Sequence, residues 1–330
     1  MNKKVMAATA IAHPNIALVK YWGKRDAGLN IPAVGSLSIT LDGLTTTTTV
    51  SFDPGLREDR FLLDGRDAPA MRERVVRCLD LLRARTGSTD FAVVESGNDF
   101  PTAAGLASSA SGFAALVVAA DRALSTGIDR AELAEIARRC SGSAGRSVFG
   151  GFVELGFVPG SDRLQVTTRQ VLEPSAWPLR VAVAVTEAEP KKVGSTEGME
   201  RSRQTSPYYA AWVEASENDL FEARMAVERR DFEALADISE SSCLKMHALM
   251  LSSRPGLVYW NGATVDCIHR LRGLREEGVP AFFTVDAGPQ VKAVCLPEAF
   301  ERVEAELGAI PGVTRVVASG LGEGARLVAP

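Results

Sequence analysis

An α+β fold in two units is what this sequence predicts, and three observations carry the expectation. A chain of 330 residues exceeds the size at which a single hydrophobic core usually stops growing. Its strand-like runs lie close together and are punctuated by turn dipeptides such as Asp42-Gly43 and Asp64-Gly65, not spaced evenly between helices. Three helix-period segments, 207–230, 231–250 and 264–277, follow one another in the second half before a strand pair. Hairpins with helices gathered to one side indicate α+β architecture and argue against a doubly wound sheet.

Taken in order, residues 5–20 read as extended around His13-Pro14 and meet a polar cluster, Lys20-Tyr21-Trp22-Gly23-Lys24-Arg25-Asp26. Strands are expected at 37–41 and 45–52, joined by Asp42-Gly43. The threonines Thr45 to Thr49 suit a β ribbon, because branched side chains favour the pleat and one face can be solvated. A strand at 61–63 precedes the turn Asp64-Gly65, and Met71, Val75, Leu79 and Leu82 form one stripe of a helix over 68–85. A strand at 91–95 leads through Asn98-Asp99-Phe100 to a small-residue stretch at 101–111 and a buried helix at 112–120. A helix at 130–139, a glycine- and serine-rich stretch at 141–151, and strands at 152–155 and 179–185 complete a first unit, 1–186. The second unit, 187–330, opens with Gly194-Ser195-Thr196-Glu197-Gly198-Met199, and Asp231 is placed to cap the second of its helices. A strand at 281–285 ends in Asp286-Ala287-Gly288-Pro289, with 291–296 as its hairpin partner, then a helix at 298–307 and a strand at 313–318.

Apolar content of 46% and charged content of 24% are those of an ordinary globular protein. A net charge of −4 gives no support for nucleic-acid or polybasic membrane binding, so any anion must be held by a local field. The first residues carry too short an apolar run for a signal peptide, and no window approaches a membrane span. Five scattered cysteines without a C-x-x-C pair read as reduced, mostly buried thiols of a cytoplasmic protein. Three histidines without ligand spacing give no support for a zinc site; His13 and His247 read as core or surface residues.

Chemistry concentrates in a few stretches. Pro101, Ala104, Gly105, Leu106, Ala107, Ser108 and Ser109 run into the buried helix. Such a stretch serves either as a tight strand-to-helix turn or as a phosphate cradle, since small side chains admit a ligand to the helix N–H groups. It lacks the Lys-Ser/Thr of a Walker A loop. Two more glycine- and serine-rich turns lie around Gly142 and Gly194, and three such turns beside basic residues suit a ligand with several phosphate or carboxylate groups. Arg146, in the second turn, either grips an anion through paired N–H donors or braces the turn by an ion pair. Lys20 and Lys24 flank Tyr21 and Trp22 as a phosphate clasp or a solvated edge. Lys191-Lys192 is a weaker signal of the same kind. Asp286, closing the apolar strand 281–285, is a candidate general base or simply a turn residue.

Together these segments resemble the mevalonate diphosphate decarboxylases of the GHMP kinase superfamily. The resemblance rests on Ala12-His13-Pro14-Asn15-Ile16-Ala17-Leu18-Val19-Lys20-Tyr21-Trp22-Gly23-Lys24-Arg25-Asp26, on 101–111, 141–151 and 194–199, and on Thr284-Val285-Asp286-Ala287-Gly288-Pro289. These stretches stand in family order over nearly the whole chain. It implies the GHMP kinase fold, a ribosomal-protein-S5-domain-2-like α/β unit followed by a ferredoxin-like α+β unit, with the active cleft between them and a homodimer as the assembly. The implied reaction uses ATP and Mg²⁺. The tertiary 3-hydroxyl of mevalonate 5-diphosphate is phosphorylated, the new phosphate leaves, and loss of CO₂ gives isopentenyl diphosphate. By the same resemblance Asp286 accepts the hydroxyl proton, Lys20 keeps Asp286 ionised, and Arg146 grips the substrate carboxylate. Tyr21, Lys24, Ser141, Ser143 and Ser195 bind the diphosphate and neighbouring atoms, and the loop from Pro101 to Ser109 cradles the ATP phosphates; no Mg²⁺ ligand is assigned. Gly35, Gly145, Thr196 and Gln290 depart from residues common in relatives. Phosphomevalonate decarboxylase and mevalonate 3-kinase are sister activities on the same scaffold, and a non-catalytic nucleotide-binding paralogue would have lost Asp286 or Arg146.

Overall fold

The computed structural model describes residues 5–100, 108–158, 160–161, 164–187 and 192–329. In chain order the first elements are β1 (Met6–Ala12), β2 (Asn15–Val19), β3 (Lys24–Asp26), β4 (Ile31–Pro32), β5 (Ser36–Thr40), β6 (Thr46–Asp53), β7 (Arg60–Leu63) and β8 (Arg66–Asp67). They are followed by α1 (Pro69–Thr86), β9 (Phe91–Asn98), α2 (Ser108–Leu124), α3 (Arg130–Cys140), α4 (Ala144–Val148), β10 (Phe152–Phe157) and β11 (Val166–Leu172). Then come β12 (Arg180–Val185), α5 (Ser195–Thr205), α6 (Tyr209–Arg229), α7 (Phe232–Leu251), α8 (Gly262–Glu276), β13 (Ala281–Val285), β14 (Val291–Cys295), α9 (Phe300–Gly308), β15 (Arg315–Ser319) and β16 (Arg326–Leu327).

Three main sheets organise these elements. The first has the order β16-β1-β6-β9-β7-β8, antiparallel except where β7 runs parallel to β9. Along β6 burial alternates, so Thr46, Thr48, Val50 and Phe52 face inward. The two inward threonines are tolerated because Thr46 Oγ1 meets Ser111 Oγ at 2.6 Å and Thr48 Oγ1 meets Ser96 Oγ at 2.9 Å. Val75, Leu79 and Leu82 of α1, with Phe113, Ala114 and Val117 of α2, complete this core. The second sheet has the order β11-β10-β5-β2, and the third β13-β14-β12-β15. Both faces of the third are covered: Val181, Val183, Phe282 and Val294 meet the second sheet's core, while Ala182, Phe283, Val285 and Ala293 meet α8 and α9. This explains why its strands read as continuous apolar runs, not alternating ones.

Mixed α+β architecture, the helix at 112–120, the cap Asp231 (accepting from Ala234 N at 3.0 Å) and the hairpin β13–β14 match the sequence reading. Several features differ. Residues 37–41 and 45–52 do not form a hairpin through Asp42-Gly43; β5 and β6 lie in different sheets. Gly43 instead lets the chain pass Ala318, whose carbonyl oxygen would stand 2.3 Å from an added Cβ. The turn around Gly194 opens a full helix, α5, and β11 and the short α4 were not expected. β12, on the N-terminal side of residue 186, pairs with β14 and β15, whereas β16 returns to pair with β1. His13 and His247 both have partners, Leu44 O at 2.9 Å and Val285 O at 3.1 Å, and all five cysteines are free and buried. Among the described residues no helix is long and apolar enough to cross a membrane.

Candidate active site

Between the sheets lies a cleft of about 530 Å³, and it collects Lys20, Tyr21, Lys24, Ser108, Ser109, Ser141, Ser143, Arg146, Ser195 and Asp286. These residues arrive from far apart in sequence. β2 is buried at every position and delivers Lys20 at its end; β13 delivers Asp286 in the same way. The short α4 carries Arg146 over the start of β2, and α5 and α2 present Ser195, Ser108 and Ser109 from their first turns. Pro101, Ala104, Gly105, Leu106 and Ala107 lie outside the described residues, as does Lys191.

At the centre Lys20 Nζ, 1% exposed, donates to Asp286 Oδ1 at 2.7 Å and to Ala17 O at 2.8 Å. A second buried ammonium, Lys292 Nζ, stands 3.4 Å from Asp286 Oδ2. Burial acts to raise the affinity of Asp286 for a proton, but the two lysines outweigh it and hold the carboxyl well below the usual carboxylate range. The side chain keeps 30% of its surface open toward the cleft, so an ionised oxygen is available to a ligand.

Arg146 is 2% exposed and its guanidinium has neutral partners: Nε and Nη2 donate to Asn15 Oδ1 at 3.2 and 3.1 Å, and Nη1 donates to Ser36 Oγ at 2.7 Å. Among the described residues it makes no ion pair. Burial lowers its pKa to about 10, leaving it charged at neutral pH. A desolvated cation with neutral neighbours favours an incoming anion. The Tyr21 ring lies 6.0 Å from this guanidinium, and its hydroxyl, pushed up to about 12 by burial, has no hydrogen-bond partner among the described residues. Gly142 makes that position possible, because a Cβ there would stand 2.5 Å from the hydroxyl. Trp22, wedged among Met199, Trp212, Met246 and Met250, forms an apolar wall and donates its indole N–H to Ser202 Oγ at 3.1 Å.

The far end of the cleft is cationic. Lys24, Arg74, Arg77 and Arg139 line it, and burial together with Arg74 lowers the proton affinity of Lys24. Sequence reasoning missed Arg74, Arg77 and Arg139 because α1 and α3 carry many arginines and only the fold turns these toward the cleft. Asn15 and Ser36, which orient Arg146, were missed as small polar residues on strands. Lys292 left a signal that was overlooked: a charge in the middle of an otherwise apolar strand.

Beside Ser108 and Ser109 a smaller cavity of about 130 Å³ is walled by Phe61, Leu63, Val75, Phe113 and Leu116, with Ser96 and Asn98 at its polar side. Among the described residues no cluster of three His, Cys, Asp or Glu side chains is placed to hold a metal. The serine hydroxyls at this end nonetheless suit Mg²⁺, a cation that keeps several waters and takes other ligands from substrate phosphates. Of the departures noted in the sequence, Gln290 caps the end of β12, its Oε1 accepting from Thr186 N at 2.7 Å. Gly145 permits close packing, since a Cβ would lie 2.7 Å from Ala134 O.

Comparison with known proteins identifies the frame in which this cleft sits. Residues 12–162 match the diphosphomevalonate decarboxylase-like N-terminal domain and residues 181–311 the mevalonate 5-diphosphate decarboxylase C-terminal domain. The human diphosphomevalonate decarboxylase is 39% identical over 313 residues, covering 87% of this chain and 76% of that protein. That of Candida albicans is 37% identical over 300 residues, covering 86% and 82%. The mevalonate diphosphate decarboxylase of Staphylococcus aureus superposes with a TM-score of 0.91 at 35% identity, covering 99% of each chain. A structure described as MDDEF in complex with MVAPP, AMPPCP and magnesium gives 0.90 at 36% identity, covering 99% of this chain and 100% of that one. On the strength of both matched domains and of these relatives, the chain belongs to the diphosphomevalonate decarboxylase family.

Proposed function

We propose that this protein is an ATP-dependent decarboxylase that converts mevalonate 5-diphosphate to isopentenyl diphosphate. One observation carries the reading: a single cleft holds an ionised carboxylate, a desolvated guanidinium without an anionic partner, and a cationic rim. Each part answers one demand of the chemistry. The tertiary alcohol must be turned into a good leaving group, and Asp286, ionised and open to the cleft, accepts its hydrogen bond and then its proton. A carboxylate of low basicity suffices, because phosphoryl transfer passes through a loose transition state in which little proton abstraction is needed early. Lys20 keeps that carboxylate charged. Arg146 holds the substrate carboxylate, fixing the C–C bond that breaks as the phosphate departs and CO₂ leaves.

The diphosphate lies toward Tyr21, Lys24, Ser141, Ser143 and Ser195, with Arg74, Arg77 and Arg139 beyond them. This density of positive charge favours a diphosphate over a monophosphate. ATP enters from the other side. Its base occupies the apolar cavity beside α2, and the loop of Pro101, Ala104, Gly105, Leu106, Ala107, Ser108 and Ser109 cradles its phosphates. Ser108, Ser109 and Ser141 would reach Mg²⁺, which neutralises phosphate charge when bound. Units 1–186 and 187–330 form the two walls of the cleft, each lending the other a strand, β12 in one direction and β16 in the other. The protein acts as a homodimer in the cytoplasm, a reducing compartment that suits five unpaired thiols.

The test is ADP and CO₂ release measured side by side with mevalonate, its 5-phosphate and its 5-diphosphate. Stoichiometric ADP and CO₂ with the 5-diphosphate is the expected outcome. ADP without CO₂ would make the protein a 3-kinase, preference for the 5-phosphate would make it the sister decarboxylase, and neither product from any substrate would overturn the reading.

A further inference from the structure

Lys292 is the most unusual residue of the third sheet. It sits in β14, the strand between β13 and β12, opposite Thr284 on one side and Val183 on the other. Its side chain points to the same face as Val294, into a core of apolar residues, and it is 2% exposed. An ammonium in such a place is costly unless it is paired. The partner is Asp286 Oδ2 at 3.4 Å, on the opposite side of the carboxylate from Lys20 at Oδ1. Two buried cations therefore share one anion, and Arg146 lies near enough to feel the same carboxylate. The charged and titratable groups around Asp286 are Lys20 after β2, Lys292 on β14, Arg146 on α4, and Cys243 and His247 on α7. A simple structural ion pair would need only one lysine. The second leaves the cluster with surplus positive charge.

We propose that Lys292 is a positioning residue for the reaction: with Lys20 it clamps the Asp286 carboxylate from both oxygens, fixing its rotation and keeping it ionised when the anionic substrate arrives. Lys20 alone holds one oxygen and leaves the carboxylate free to turn about its Cβ–Cγ bond. Lys292 removes that freedom without occupying the cleft, whose lining does not include it. The inference rests on the functional reading given above, and its test contains one arm that needs no substrate.

In protein labelled with ¹³C at the aspartate carboxyls, the Asp286 signal is assigned by its loss in Asp286→Asn. In Lys292→Met that signal should titrate about one pH unit or more higher than in the wild type, because one of two neighbouring cations has gone. An unchanged midpoint overturns the proposal even if the protein proves to have another activity. In turnover, Lys292→Met and Lys292→Gln should lower kcat by about tenfold or more, as expected when a reacting group loses its fixed geometry. KM for ATP should stay within a few-fold, and the acid limb of the pH–rate profile should move upward. Lys292→Arg, which keeps the charge, should return that limb to the wild-type position. A stability loss with an unmoved pH profile in every variant would reduce Lys292 to a structural lysine and overturn its role. Should the neutral variants fail to fold, a wild-type acid limb and carboxyl midpoint in Lys292→Arg support the clamp, and a raised midpoint refutes it.

Discussion

Asp286 and Arg146 use burial in opposite ways. Asp286 is ionised despite its surroundings, since two ammonium groups overcome the penalty, whereas Arg146 makes no ion pair among the described residues and its direct partners are neutral. The first is poised to take a hydrogen bond, the second to take a charge. Removal of the paired N–H geometry of Arg146 while keeping its charge, in Arg146→Lys, should cost on the order of 1.5–3 kcal/mol in kcat/KM, about tenfold to a hundredfold. The loss should appear with mevalonate 5-diphosphate while ATP binding, followed by nucleotide fluorescence, stays unchanged. Full activity in that variant would mean that Arg146 does not hold the substrate carboxylate. At this scale the sequence was informative where a residue broke a pattern: a lysine after a buried strand, an aspartate closing an apolar run, an arginine among glycines. Arg74 and Arg139 were illegible for the converse reason, being arginines among other arginines on helices, where only packing decides which face is inside.

α7 shows how an element supports the site from behind. Its Ser242 accepts from Lys20 N at 3.0 Å, and Cys243 and His247 reach the backbone of Val285, the residue before Asp286. His247 is enclosed, with the Trp260 ring tilted against it at 4.4 Å between centroids, and burial lowers its pKa from 6.5 to about 3. The unfolded chain therefore binds a proton that the folded one refuses between those two values. Stability from this group is complete above pH 6.5 and falls as pH drops toward 3, with a slope of about 1.4 kcal/mol per pH unit. The contribution of Asp286 has a separate window, since its carboxyl titrates below the ordinary 3.8 and its stabilisation is lost only under stronger acid. Urea unfolding of His247→Gln between pH 4 and 7 should show a shallower pH dependence than the wild type; parallel curves would contradict the assignment. Elements were also where local signals misled. Asp42-Gly43 has the composition of a hairpin turn, yet the chain changes sheets there because Ser319 and Gly320 occupy the place beside it. α5 is almost wholly polar, with Gly198, Met199 and Ser202 buried, so it leaves no apolar stripe to read.

For the molecule as a whole, the core shared by the second and third sheets matters most. Leu18, Leu37 and Phe152 pack in one cluster with Phe282, Val294 and Leu235, so residues from both halves bury each other. Neither half keeps its apolar surface covered alone, and the protein should unfold in one step. The four tryptophans provide a test: Trp22, Trp177, Trp212 and Trp260 all lie in or near the cleft and the third sheet, and the first sheet has none. Tryptophan fluorescence and far-ultraviolet circular dichroism should therefore report the same urea midpoint. A first sheet that outlasts the fluorescence change would show two independent units. The mixed architecture and the distribution of apolar runs were readable from sequence; the interlocking was not, because nothing local marks β12 as belonging with strands a hundred residues later.

The pairing of Arg326 with Ile11 and Leu327 with Ala10 also sets a timetable. During synthesis β1 leaves the ribosome long before its outer neighbour β16. Until then one edge of the first sheet stays open, a row of unpaired N–H and C=O groups available to other chains. The nascent protein thus completes this sheet only once β16 has emerged, which makes the synthesis of that strand, and not emergence of the first half, the moment at which this edge is closed to edge-to-edge association.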